Sequence, residues 1–431
     1  MSIYPTHKPS GIEWLGDIPE HWISTRVKNA LVFDIGGTPS RNKMEYFDGD
    51  NLWVSIADLN NQDLITDTNE KITDEAIEDS NCKLIPKDSL LFSFKLSVGH
   101  LAFAGSNLYT NEAIAAFRPS NRLNVRFLKY LLQIEFESNA NTNIYGAYLF
   151  NKETLGAAKI VFPDDSKEQT AIANYLDDKT SKLDQLISNK KAQIEKLKEV
   201  RQIEINTAVT KGLDPNVKLK PSGVEWLGEI PEHWELWKLS SKFKDISSGT
   251  TPQAGSDRFY EKGKYPWINT GDLNDSFLHA CKRKVTQTAL DEHSVLKLHP
   301  PGVLIMAMYG ATIGKLGITS FKACCNQACC VIGQSKSIDT KYLFYWLMGN
   351  RIEIVNRAYG GGQPNISQDV IKRLRITCPP SNEQTAIANY LDEKTTKLDQ
   401  LVSNLENQIE QLQEVRKIEI YNAVTGKIKT D

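Results

Sequence analysis

The stretch EQTAIANYLDDKTSKLDQL at residues 168–186 returns as EQTAIANYLDEKTTKLDQL at 383–401. Seventeen of the nineteen positions are identical; the other two exchange Asp for Glu and Ser for Thr. EVRQIEINTAV at 199–209 likewise returns as EVRKIEIYNAV at 414–424, at the same offset of 215 residues. Neither copy contains Pro or Gly between 167 and 211 or between 382 and 425, so each reads as one long helix. In the second copy Leu391, Leu398, Leu405 and Leu412 fall seven apart, with Val402 and Ile409 between them. The first copy places Leu176, Leu183, Ile187, Ile194 and Leu197 in the same frame, interrupted by Lys190. That spacing is a coiled-coil seam. A helix of this length spans about 65 Å at about 1.5 Å per residue.

An apolar stripe on so long a helix needs a partner. The bland reading packs each helix on its own domain. Near-identity favours a second reading, in which the copies pair antiparallel and each presents one face to a copy of the same partner.

The rest of the chain is duplicated too. PSGIEWLGDIPEHW at 9–22 matches PSGVEWLGEIPEHW at 221–234 in twelve of fourteen positions. Trp14, Leu15, Ile18 and Trp22 form an apolar turn whose direction Pro19 sets, which suits a plug docking each domain onto the helices. Between head and helix lie two bodies, 27–165 and 239–380. In the first, strands are expected at 52–56, 90–94, 101–104 and 113–117, and a helix at 125–137. The bodies align as WVSIADLN (53–60) with WINTGDLN (267–274), SVGHL (97–101) with TIGKL (312–316), NEA (111–113) with NQA (326–328), and RFLKYLL (126–132) with KYLFYWL (341–347). One fold is therefore used twice with different surface chemistry.

The expected architecture is α+β. Residues 1–165 form a first domain, 166–212 a first helix, 213–380 a second domain and 381–431 a second helix with its tail. The order head, body, helix, head, body, helix closes on itself when each helix leads toward the opposite head.

Apolar content of 40% and charge of 24% are those of a soluble globular protein. No stretch approaches the ~20 apolar residues of a membrane span, and MSIYPTHKPSG at the start has no apolar signal core. A cytoplasmic protein without membrane contact is expected. The net charge of −2 is unevenly spread: residues 1–165 carry 15 basic and 22 acidic side chains, residues 213–380 carry 21 and 15. Nucleic-acid binders are usually basic, so any DNA contact here relies on local patches or on charge from a partner. Cys324, Cys325, Cys329 and Cys330 suggest zinc, but their counterparts at the 215 offset are Tyr109, Thr110, Ile114 and Ala115. Buried thiols in core strands are the expectation, and no metal site.

No catalytic motif stands out. GATIGKL at 310–316 is one residue short of a phosphate-binding loop and carries Leu316 where Ser or Thr would hold magnesium. The seven histidines show no metal-ligand or triad spacing. What the bodies offer instead is polar side chains on turns. In the first body these are Thr38, Ser40, Arg41 and Lys43 around GGTPSR (36–41), then Ser55, Lys95, Ser97, His100, the Asn111/Glu112 turn and Tyr148. In the second they are Thr250, Thr251 and Gln253 in GTTPQ (249–253), then Asn269, Thr270, Tyr309, Thr312, Lys315, Asn326, Gln327, and Gln363 and Asn365 in GGGQPN (360–365). Asn and Gln read adenine bidentately, Arg and Lys read guanine, and Ser or Thr reach phosphates or bases.

IPEHW in both heads, the GTTP turn, GQPNI at 362–366 and the EQTAIANYLD helices together resemble the specificity subunit of type I restriction–modification enzymes, over essentially the whole chain. The resemblance implies two target-recognition domains joined by two long antiparallel helices in a coiled coil. It implies that each domain reads one half of a split double-stranded DNA site, and that the helices set the spacer and dock two methyltransferase subunits. Restriction subunits would join through these. The chain would be non-catalytic, with S-adenosylmethionine, ATP and magnesium belonging to partner subunits. About 65 Å of helix matches roughly 20 base pairs at ~3.4 Å each. A second reading stays open: a pseudo-symmetric scaffold whose two domains bind protein ligands.

Overall fold

Both long helices begin at a serine: the first spans Ser166–Lys211 and the second Ser381–Val424. The computed structural model describes residues 3–60, 62–95, 97–139, 141–142, 148–149, 151–356 and 365–430, with backbone alone for 135–139, 141–142 and 148–149. The chain divides into two units, 1–190 with 407–431 and 191–406. Each unit therefore holds one head, one body, the first half of its own helix and the last part of the other helix.

In the first unit a five-stranded sheet runs in the order Phe33–Ile35, Ile114–Phe117, Leu90–Ser93, Leu101–Ala104, Leu64–Ile65. All neighbours are antiparallel except the last pair. A three-stranded sheet (Tyr109–Thr110, Asn51–Val54, Glu70–Ile72) stands beside it. The second unit repeats both sheets: Ile246–Ser248, Cys329–Ile332, Leu304–Ala307, Leu316–Thr319, Ser276–Leu278, then Lys284–Val285, Tyr265–Ile268, Cys324–Cys325. Leu90–Ser93 and Ile114–Phe117 are buried at every position, as near-continuous apolar runs predict. The expected strand at 52–56 ends at Val54 instead. Ser55 and Asp58 close a capping box there, which turns the chain into the short helix Ile56–Leu59. The helix expected at 125–137 spans Val125–Asn139 and buries Phe127, Leu128, Leu131 and Leu132.

Each core is completed by the end of a helix. Ile420, Ala423 and Val424 join the first core with Trp22 and Phe127; Ile205, Ala208 and Val209 join the second with Trp234 and Trp346. These triplets are equivalent at the 215 offset. Each helix is followed by a left-handed glycine that packs against a head. Gly426 (φ +72°) leaves no room for a Cβ against Pro19, and Gly212 (φ +79°) sits against Trp234. Lys427 Nζ donates to the carbonyls of Leu15 (3.4 Å) and Asp17 (3.0 Å), which fastens the chain's end to the first head. The four clustered cysteines are buried strand residues of the second unit. Among the described residues no group of three His, Cys, Asp or Glu could hold a metal ion.

Candidate nucleic-acid interface

The repeated helix motif grips each unit's own head and body with the same atoms. Trp22 Nε1 donates to Glu168 (3.0 Å) and His21 Nε2 lies 2.8 Å from the same carboxylate. In the second unit Trp234 and His233 meet Glu383 at 2.9 and 2.8 Å. One residue on, buried Gln169 accepts from Asn124 N (2.7 Å) and donates to the carbonyls of Arg122 and Pro163. Gln384 does the same with Asp339 N, Ser337 and Pro379. Tyr130 and Tyr345 donate to Asp177 and Asp392 at 2.6 and 2.7 Å. Much of the repeat's identity therefore comes from holding each domain on its helix. The heads thus dock each domain onto its helix, as expected of Trp22 and its neighbours, but sequence reasoning missed the helix-side partners Glu168, Gln169 and Asp177 and credited the helices' identity to pairing and to outside partners.

The helices also pair within each unit. In the first, Tyr175 OH donates to Glu419 (2.8 Å), Arg416 to Asp184 (3.0 Å) and Lys190 to Gln408 (2.5 Å). In the second, Tyr390 OH donates to Glu204 (2.8 Å) and Arg201 lies 3.1 Å from Asp399. Rising numbers on one helix meet falling numbers on the other, so the pairing is antiparallel. Of the seam residues, Leu176, Ile187, Ile194, Leu391, Leu398 and Ile409 are buried, and Leu183, Leu197, Val402, Leu405 and Leu412 are half-buried. Lys190, the break in the seam, is one of the polar rungs.

Beside the seam the first unit exposes Leu186, Val415 and Ile418, and the second exposes Leu401, Val200 and Ile203, each between 41% and 56%. These are the same three positions at the 215 offset. Leu186 and Val415 both lie between the Asp184–Arg416 and Lys190–Gln408 rungs, and Ile418 follows Val415 by three residues on the same helix face.

In both domains the Gly-x-Thr-Pro turn lies on the end of a strand. A Cβ at Gly36 would fall 1.9 Å from the Thr110 carbonyl, and one at Gly249 1.7 Å from that of Cys325. The buried indoles of Trp53 and Trp267 donate to Gly37 O (3.0 Å) and Thr250 O (3.2 Å) and pin the turns. This places Thr38 beside Glu112 and Thr251 beside Gln327, each hydroxyl donating to the neighbouring side chain. The Thr38 bond holds the Glu112 carboxyl below the usual carboxylate value, against desolvation, and the charges of Lys95 and Arg41 act the same way.

Other candidates point inward or are already occupied. Asn111 and Asn326 accept from Ala113 N and Ala328 N, both at 3.1 Å, and Asn326 also donates to Asn269. Ser55 donates to Asp58. Arg41 forks Glu70 at 2.5 and 2.8 Å and stacks over Phe47 and Trp53. Lys43 pairs with Asp79 at 3.0 Å. At Ser97 and His100 only the backbone is engaged, Ser97 O accepting from Ser93 Oγ and His100 N donating to the same hydroxyl, while the Ser97 side chain is exposed. Lys95, half-buried, lies over the Phe94 ring.

Ser40 and Gln253 are exposed, and Thr270 opens the short helix Thr270–Asp272. Tyr309, Thr312 and Lys315 share the connection between Leu304–Ala307 and Leu316–Thr319, where a bridge joins Tyr309 to Asn365. Gln363 lies outside the described residues, as does the Tyr148 side chain, whose backbone belongs to the strand Tyr148–Leu149.

The family model for the type I restriction modification DNA specificity domain matches the chain twice, at 20–196 and 231–411. The MjaIX type I restriction enzyme specificity subunit of Methanocaldococcus jannaschii is 25% identical over 427 residues, covering 97% of this chain and 96% of that one. The MjaVIII specificity subunit of the same organism is 25% identical over 435 residues, covering 96% and 94%. The fold is shared with a solved chain from the complex assembly and conformational transition of the type I R-M system, with TM-score 0.75 and 14% identity, covering 95% and 99%. It is also shared with the HsdS subunit from Thermoanaerobacter tengcongensis, with TM-score 0.53 and 14% identity, covering 95% and 98%. With both head–body–helix repeats matched along nearly their whole length, the chain belongs to the specificity subunits of type I restriction–modification systems.

Proposed function

We propose that each domain reads one half of a bipartite DNA site while the paired helices set the spacer and receive two methyltransferase subunits. The observation that carries this is a duplicated mount under divergent tips. The anchors at Glu168/Glu383, Gln169/Gln384 and Trp53/Trp267 repeat atom for atom, whereas Glu112/Gln327 and His100/Lys315 differ in chemistry. A protein needing one surface twice would repeat both layers. A reader of two sequences keeps the mount and varies the tips.

The exposed apolar trio repeated in each unit supports docking of two copies of one partner, since identical patches suit identical subunits. Recognition is the chain's share of the work; S-adenosylmethionine, ATP and magnesium enter with the methyltransferase and restriction subunits. Footprinting of the assembled complex tests the reading. Two protected segments with an unread gap are expected. A single continuous segment, insensitive to changes in one of the domains, would instead favour a scaffold with protein ligands.

A further inference from the structure

The two reading tips share their backbone hydrogen bonds and differ in their last side chain. Asn111 N donates to Val54 O and Asn326 N to Ile268 O, both at 3.0 Å. Ile114 N and Cys329 N return to the carbonyls of Asn111 and Asn326, both at 3.3 Å. Both asparagine Oδ1 atoms accept from a backbone N–H inside the turn, and Asn326 Nδ2 donates to Asn269 as well. The next residue projects: Glu112 in the first domain and Gln327 in the second, both exposed and each held by the threonine of the Gly-x-Thr-Pro turn. Position 112/327 is thus a fixed platform carrying two different hydrogen-bonding patterns.

These patterns suit different bases. A carboxylate accepts and cannot donate. Facing DNA it is repelled by phosphates and by the acceptor edges of guanine and thymine, and is satisfied by a lone amino donor, which cytosine N4 supplies in the major groove. The nearby charges of Lys95 and Arg41 favour the ionised form of this carboxyl. A carboxamide offers one donor and one acceptor, the complement of adenine N7 and N6. Thr251 bonds to Gln327 Oε1, which orients the amide and leaves Nε2 to donate.

We infer that position 112 and its counterpart 327 are discriminator residues, Glu112 selecting cytosine in one half-site and Gln327 selecting adenine in the other. This rests on the reading of the domains as DNA readers.

The test uses the full chain assembled with its methyltransferase subunits and a library of duplexes with both half-sites randomised. Glu112→Gln should shift preference from cytosine toward adenine at one position of one half-site, by on the order of 10-fold or more. Gln327→Glu should do the reverse at one position of the other. Preferences unchanged in intact complexes, or altered across a whole half-site, overturn the assignment. An exchange of residues 213–380 for another specificity subunit's second domain is run in parallel. If the exchange changes one half-site and the point variants change nothing, only the discriminator assignment falls. If the exchange also changes nothing, the two-reader account falls with it.

Discussion

Trp22 and Glu168 join the first head to its helix: the fully buried indole donates to the carboxylate at 3.0 Å, and Tyr4 OH shares the same oxygen at 2.7 Å. Removing the acceptor strands a buried donor. Glu168→Ala should cost about 1–3 kcal/mol, a fall of about 2–4 °C in melting temperature per kcal/mol for a unit of this size. Thermal unfolding checks it, and Glu383→Ala should act alike through Trp234. Glu168→Gln retains an acceptor and should lose less.

The exposed trios give a prediction about stoichiometry. Leu186→Ser, Val415→Ser and Ile418→Ser together remove a patch from the first unit while leaving seam and anchors in place. The isolated chain should melt within about 3–6 °C of the parent, since exposed substitutions away from structural features stay within about 0.5 kcal/mol each. Native mass spectrometry should then show one methyltransferase subunit per chain instead of two. Retention of both would remove the trio from the interface.

The four strand cysteines make the second unit sensitive to alkali. Burial pushes Cys324, Cys325 and Cys330 up to about 12 and raises Cys329 as well, from an ordinary 9.0. The folded state thus favours the protonated thiols. Their contribution to stability is complete below about pH 9 and is lost as pH rises toward 12. Denaturant midpoints should decline through that window, and Cys→Ser changes at these sites would flatten the decline if folding survives. At pH 8 a thiol reagent should label these four only after unfolding.

Lys315 is half-buried on the loop it shares with Tyr309 and Thr312. Lys315→Ala should weaken or relax one half-site by about 1–3 kcal/mol if it meets a base, or lower binding uniformly with a smaller salt slope if it meets a phosphate. Titrations at several salt concentrations against duplexes altered in either half-site separate the two.

Duplication made the large elements legible. Heads, bodies and helices each appear twice, and Leu176, Ile187, Leu398 and Ile409 of the heptad frame are buried, Leu176 within the first core. Strand ends were less legible because side chains set them: Ser55 and Asp58 stop a strand that β-branched and apolar residues would continue. The site was legible only as turns. Whether a polar side chain projects or folds back depends on partners distant in sequence. Asn111 looks as suitable as Glu112 until Val54 and Ala113 claim its turn. Arg41 looks free until Glu70 forks it. The Trp53 and Trp267 pins carry no local signal beyond a tryptophan at the same place in both bodies.

The central claim is that two independent readers share one mount. Co-expression of the chain with its methyltransferase partner in a methylation-free host, followed by genome-wide mapping of modified adenines, tests it most directly. A split motif with a fixed gap is predicted, with one half replaced and the other retained when residues 239–380 are exchanged. An uninterrupted motif, or both halves changing together on that exchange, would contradict it.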